Sequence, residues 1–349
     1  MKDKEFGYAM KALRMVIRRE WHRMTSRRLY LGVCVVLPLL CLFFMATIFG
    51  NGQMENIPVG IVDLDNTATS RNISRRISAA PTFRVTEHFT DEADARRALQ
   101  QKDIYGYLVI PPRFEQKAVT GTGATLTYYY HYALLSVGSE LMAAFENTLA
   151  PVALSPIVMQ AEALGVSGEQ IQTFLLPVEA STHPLYNPDM DYSIYLSQPF
   201  FFVLFQILIL LTTVYSIGSE LKFGSAGEWL EMARGNILTA VAGKLLPYTL
   251  IFSSIGILAN YVLFGPLHIP FAGSLWLMNA VTVLFIIATQ ALAVFIYSVF
   301  PKIAYIISVV SMVGSLGATL SGVTFPVTAM YAPVHAASYL FPVRHFTEA

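Results

Sequence analysis

The stretch LYLGVCVVLPLLCLFFMATIF, residues 29–49, contains no charged side chain. At 1.5 Å per residue a helix of this length spans roughly the 30 Å hydrocarbon core of a bilayer. It therefore reads as a transmembrane helix, span one, with Pro38 as the expected kink. The run is too long for a signal-peptide core and ends without a small-residue cleavage site, so it is expected to remain as an anchor. Cys34 and Cys41 lie seven residues apart within it, on one helical face, where neither a disulfide nor a metal is expected.

The rest of the chain repeats the pattern. Of 349 residues, 54% are hydrophobic and only 13% charged, about half the charge of an average globular protein. No acid or base occurs between Asp191 and Glu220, which places span two at 199–218. The uncharged run from Leu245 to Pro301 is too long for one crossing and is broken at Gly265-Pro266, so it divides into span three, 245–264, and span four, 274–300. Span five follows Lys302 at 303–322. It carries Ser308, Ser311, Gly314, Ser315, Gly317, Ala318 and Ser321, small residues of the kind found where helices approach closely. The fold class is thus a membrane protein, an α-helical transmembrane bundle of five visible spans with an α/β domain inserted after the first.

Charge placement orients it. Nine basic residues and three acids precede span one, which puts the N-terminus in the cytoplasm. Counting crossings places 50–198 outside, 219–244 inside and 323–349 outside as a re-entrant segment. Equal totals of acids and bases, 23 each, give no sign of a nucleic-acid partner. In residues 1–28, Phe6, Met10, Leu13, Ile17, Trp21 and Met24 fall within about 80° of helical arc, with arginines over the rest. That pattern predicts an amphipathic helix lying along the cytoplasmic leaflet against lipid.

Residues 50–198 alternate in type. Strands are expected at Ile57–Val62, Phe83–Phe89, Ile104–Ile110 and Thr125–His131, and helices at Ala68–Ala79 and Asp91–Gln100. A long helical stretch from Leu134 to Leu164 should be interrupted at Pro151 and Pro156. Thr90 is a candidate helix cap, Asp65 or Asn66 another, and Ser167–Gln170 has capping-box spacing. The segment Asp63-Leu64-Asp65-Asn66-Thr67 fits the DxDxT loop of haloacid-dehalogenase-type phosphatases. That chemistry also needs a phosphate-binding cation and a second acidic cluster, and only Asp189-Met190-Asp191 offers itself, so the two aspartates are read as strand-end and capping residues. The Tyr128–Tyr132 run is read as alternating strand faces, and no two of the seven histidines stand at i, i+4.

Between spans two and three, Ser219 to Arg234 can form a short amphipathic helix with Trp229 and Met232 on one face. Here the chain resembles the permease subunits of ABC-2 type exporters that carry a large extracytoplasmic insert. The resemblance rests on Val62-Asp63-Leu64-Asp65-Asn66-Thr67-Ala68-Thr69-Ser70, on Gly106 to Phe114 with its Ile110-Pro111, and on Tyr186-Asn187-Pro188-Asp189. It extends to Glu220, Gly224-Ser225, Glu228 and Leu230 of the coupling segment and to Gly322-Val323-Thr324-Phe325-Pro326 after span five. Ser219 stands where the family usually has Arg, and Gln198-Pro199 where it has Pro-Gly.

The resemblance implies a permease without its own ATPase, and no phosphate-binding loop is present, since Gly243-Lys244 lacks the upstream glycine. It implies a cytosolic ABC ATPase partner that brings ATP and Mg, with no cofactor or metal bound directly. A second permease copy, a homo- or heterodimer partner, and a periplasmic adaptor with an outer-membrane channel are also implied. ATPase coupling falls to Glu220, Lys222, Phe223, Gly224, Glu228, Trp229 and Leu230, and an extracytoplasmic gate to Gly322, Phe325 and Pro326. The expected function is export of an amphiphilic or hydrophobic substrate across a bacterial inner membrane. The alternative is a membrane-anchored sensor or assembly scaffold with a ligand-binding outer domain. The family half carries six spans, so the chain is expected to end before its last crossing.

Overall fold

The computed structural model describes residues 2–48, 52, 54–120, 122–163, 187 and 191–349, with 2–6 and 153–163 as backbone alone. The chain divides into two compact units, Met1–Gly52 with Pro184–Ala349, and Gln53–His183. In the first unit an N-terminal helix α1 (Lys2–Ser26) is followed by α2 (Arg28–Ile48), the first of five helices among the described residues that are long and apolar enough to cross a membrane. The others are α7 (Ser193–Lys222), α9 (Ile237–Phe264), α10 (Leu275–Val299) and α11 (Ile303–Leu320), with the short α8 (Ala226–Met232) between the second and third.

Proline shapes two of these helices in the same way. Pro38 and Pro199 lack an N–H and press on the carbonyl four residues back. Each follows by two residues a π-helical turn, Gly32–Val36 and Ser193–Ser197. The wider turn relieves the ring, and at the first the Leu37 N–H reaches the Gly32 carbonyl five residues away. The expected kink is therefore a π turn, and the second spanning helix begins six residues before Pro199.

Helix α7 is the bundle's axis. Phe201, Phe202, Phe205, Ile209, Leu210 and Val214 on it are all buried, and α2, α10 and α11 pack around it. Close approaches occur at glycines, as expected without a hydrophobic driving force between helices in lipid. A Cβ on Gly314 would stand 2.6 Å from Ile207, and one on Gly256 2.6 Å from Thr282. Polar pairs tie α9 to α10: Asn260 donates to Asn279 and Thr282, and Thr249 to Gln290. After α11 the chain turns back through α12 (Ala332–Ser338) and α13 (Pro342–Glu348). Phe346 packs on Phe202 and Phe285, and the Val343 N–H donates to the buried Gln206 Oε1 at 2.9 Å.

The second unit holds strands β1 (Ile57–Asp63), β2 (Phe83–Phe89), β3 (Gly106–Ile110) and β4 (Thr127–Tyr130) in the order β2-β1-β3-β4. The first three are parallel and β4 runs antiparallel to β3. Side chains alternate across the sheet. Val59, Ile61, Leu108 and Ile110 meet helices α3 (Ala68–Ala79) and α6 (Leu135–Ala163) on one face. Val62, Tyr107 and Val109 meet α4 (Glu92–Gln101) on the other. Gly60 must lack a side chain, since a Cβ would sit 2.5 Å from the Phe89 ring. The tyrosine run divides as its alternation implies, with Tyr128 stacked on Phe145 and Tyr129 on Tyr107.

Three local expectations change. Helix α6 runs through Pro151 and Pro156 without a break. Asp91, not Thr90, caps α4, accepting from the Ala93 N–H. Thr67, not Asp65 or Asn66, caps α3 in a reciprocal box with Ser70. The Ser167–Gln170 box and the Asp189-Met190 pair lie outside the described residues.

Asp65 caps a different helix, α5 (Phe114–Thr120), accepting from the Phe114 and Glu115 N–H groups at 2.9 and 3.0 Å and from the Thr67 hydroxyl at 2.7 Å. Asp63 accepts from the Asp65 and Asn66 N–H groups and from Ser70. Both carboxylates are turned to the chain's own donors, an arrangement that serves the fold. Burial pushes the Asp65 carboxyl up, but the hydrogen bonds from Thr67, Glu115 and Phe114 outweigh it and hold it below the ordinary value. A depressed carboxyl stabilises the fold above its unfolded value and loses that contribution as pH falls through the folded one. Hydrogen exchange at Phe114 and Glu115 should therefore accelerate as pH drops below about 4, beyond the intrinsic trend. Asp65→Ala should expose the same amides at neutral pH, at about 1 kcal/mol.

Candidate functional site

Helix α7 extends past the hydrocarbon depth, since 30 residues make about 45 Å of helix. Its last turns carry Ser219 and Glu220, both fully buried. A left-handed Gly224 ends it, so that the Ser225 N–H returns to the Glu220 carbonyl and the Gly224 N–H to that of Leu221. This turn delivers the Ser225 hydroxyl to the Glu220 carboxylate.

Around Glu220 four elements converge. Arg19 of α1 grips it with both terminal nitrogens, at 2.7 and 3.0 Å, and Arg23 donates to both Glu220 and Ser219. From α9, Lys244 donates at 2.6 Å to Glu220 and at 2.7 Å to Glu20 of α1, while Tyr248 donates at 2.7 Å to the other oxygen of Glu20. Lys244 is 0% exposed and Glu20 1%. Trp229 of α8 closes the cluster, its ring 5.2 Å from the Lys244 ammonium and its N–H on the Ala240 carbonyl. Gly243 admits α1, because a Cβ there would lie 2.9 Å from Val16.

This packing decides which face of α1 turns inward. The inward stripe is Ala12, Val16, Glu20 and Met24, rotated from the expected apolar face, and it lies against α9 of the same chain. Met10 and Trp21 remain exposed. The rotation follows from energetics, since burying a carboxylate and two arginines is tolerable only when they meet opposite charges. Ser219 is explained too: the cation that the resemblance places at that position reaches it from α1 as Arg23.

Residues 28–349 match the family described as ABC-2 family transporter protein. The chain belongs to the ABC-2 transporter family. It is accordingly the membrane subunit of a transporter, a multi-pass permease of the kind that works with an ABC ATPase. No curated protein and no solved structure matches it.

In this permease the residues expected to couple to an ATPase part into two groups. Glu220 and Trp229 are turned inward and present no surface to a partner. Lys222, Phe223, Gly224, Glu228 and Leu230 are exposed above them. Two cation–ring contacts tie this region to the N-terminal segment, Arg27, which follows α1, over Phe223 at 5.3 Å and Arg234 over Tyr8 of α1 at 4.5 Å. At the far end of α7, Tyr195 donates to the Val323 carbonyl at 2.6 Å beside the expected gate. Gly322 there has φ +91° with Val327 2.8 Å from where a Cβ would stand, and Phe325 and Pro326 are exposed. Among the described residues no cluster of His, Cys, Asp or Glu could hold a metal.

The permease also has an apolar groove of about 220 Å³ lined by Leu29, Tyr30 and Val33 of α2, Leu211, Thr212 and Tyr215 of α7, and Ile307 of α11. Its Tyr30 ring packs on Tyr215 and, at 6.0 Å, on Tyr248. The groove is thus one aromatic contact from the charge cluster.

Sequence reasoning missed Glu20, Lys244 and Tyr248. Lys244 reads as the end of a loop because it precedes an uncharged run, and Glu20 as one charge in a charged helix. The available signal was spacing: Glu20 continues the small and apolar stripe Ala12–Val16 at four-residue intervals.

Lys244 stands between two carboxylates, so Lys244→Met should leave Glu20 and Glu220 facing each other and destabilise the bundle by about 3–5 kcal/mol. Thermal unfolding in detergent checks this. Glu20→Gln, which keeps a hydrogen-bond acceptor, should be milder.

Proposed function

We propose that this permease is half of an ATP-driven exporter in a bacterial inner membrane, with α1 and α8 cytoplasmic, the inserted domain periplasmic, and an amphiphilic or hydrophobic molecule as cargo. The observation that carries the reading is the path from groove to cluster, Tyr30 to Tyr248 to Glu20. A movement of the coupling surface pulls on Glu220 through Ser225 and on the junction of α1 and α2 through Arg27. Both forces reach Lys244, and Tyr248 passes them to the ring that walls the groove. A packed network with discrete arrangements transmits a displacement of this kind.

The groove is lined almost wholly by carbon and suits the apolar part of an amphiphile. The ATPase, carrying ATP and Mg, docks on Phe223, Glu228 and Leu230. A second permease copy fits against α11, whose Ser308 and Ser315 face away from the chain's own bundle. The inserted domain then hands cargo to a periplasmic adaptor and an outer-membrane channel.

The double variant Glu228→Lys/Leu230→Asp changes exposed side chains only and should leave the melting temperature unchanged. It should weaken ATPase co-purification by about tenfold or more and abolish transport into inverted vesicles. Undiminished ATPase binding would place the docking surface elsewhere. If no ATPase accompanies the unaltered chain, the sensor or scaffold reading takes over.

A further inference from the structure

Helix α3 carries Arg71, Arg75 and Arg76 and not one acid. Helix α4, in the same domain, balances its arginines, with Arg96 3.6 Å from Glu92 and Arg97 paired to Asp94. On α3, Arg71 donates to the Asn66 carbonyl at 2.9 Å and Arg75 to the Arg71 carbonyl at 3.4 Å. These backbone contacts orient the guanidinium groups without neutralising them. Among the described residues neither pairs with a carboxylate, so the positive charge of this helix is uncompensated.

That charge faces a groove of about 710 Å³. Arg71, Ser74, Arg75 and Ser78, at i, i+3, i+4 and i+7, form one wall as a single helix face, and His88 and Phe89 at the end of β2 line it as well. Asp63 also lines it, but its oxygens accept from the Asp65 and Asn66 N–H groups and from Ser70. The groove is open to solvent along this helix face, and its volume falls in the range of small-molecule sites.

We propose that this groove binds a phosphate monoester. Two guanidinium forks one helical turn apart match a dianion, since each can donate two parallel N–H groups to phosphate oxygens. The Ser74 and Ser78 hydroxyls donate to the Ser70 and Ser74 carbonyls, so the donors to the phosphate are the guanidinium groups. The Phe89 ring offers an apolar surface to the organic part of the ester. The site needs nothing from the transport cycle, so it stands or falls independently of the direction of transport. Its phosphate can come from a soluble ester or from the headgroup of a lipid, and the chemistry of recognition is the same for both.

The full chain, held in phosphatidylcholine nanodiscs, is titrated with hexyl phosphate by calorimetry. In a parallel arm the nanodiscs contain phosphatidic acid, and hydrogen exchange follows the amides of residues 71–90. Saturable binding in the first arm assigns a soluble ester, and protection confined to the second assigns a lipid headgroup. In either case the effect should weaken about tenfold or more in Arg71→Gln/Arg75→Gln and persist in Arg84→Gln, an exposed arginine outside the groove. All the substituted side chains are exposed, and an unchanged melting temperature verifies that the variants fold. The proposal is overturned if neither arm responds to the double variant. It is also overturned if a hexaglutamate peptide binds more tightly than hexyl phosphate, which would assign the groove to an acidic protein segment.

Discussion

Lys244 lies fully buried between Glu20 and Glu220, and the arrangement of one end of the bundle follows from that constraint. An ammonium in a protein interior demands anions, and two carboxylates around one ammonium demand more cations. Arg19 and Arg23 meet that demand, which holds α1 against α9. Three segments distant in sequence, residues 19–23, 219–225 and 244–248, are then held in register by charge rather than by apolar packing alone. Apolar contacts tolerate sliding, but this set of contacts has few alternatives.

Large features of this fold were legible in the residues because they rest on statistics of many side chains. Absence of charge over 57 positions from Leu245 to Pro301 marks helices in lipid whatever each residue does. Alternation in Ile57–Asp63 and Phe83–Phe89 marks a sheet for the same reason. The family resemblance, carried by the order of weak motifs, is borne out over residues 28–349. Features resting on one long-range pair were not legible. Nothing local in Glu20 announces Lys244, which is 224 residues away. Nothing local in Asp65 says that it caps a helix beginning at Phe114 instead of the one that follows it.

The inserted domain shows the same division. Its strands and helices follow from pattern, yet the meaning of its aspartates depends on what crosses from the β3 end to the β1 loop. A DxDxT loop is compatible with phosphoryl chemistry or with capping, and the donors decide between them. Here backbone N–H groups of Asp65, Asn66, Phe114 and Glu115 converge on the two carboxylates. The two carboxylates thereby tie β1 to the starts of α3 and α5, and the arginines of α3 lie on the neighbouring helix face.

The spanning helices differ greatly in length, from 18 residues in α11 to 30 in α7. At 1.5 Å per residue the first makes about 27 Å, slightly less than a typical hydrocarbon core, and the second exceeds it by half. The excess of α7 carries Ser219 and Glu220, so the helix at the bundle's axis is also the one that presents a carboxylate to the cations of α1 and α9.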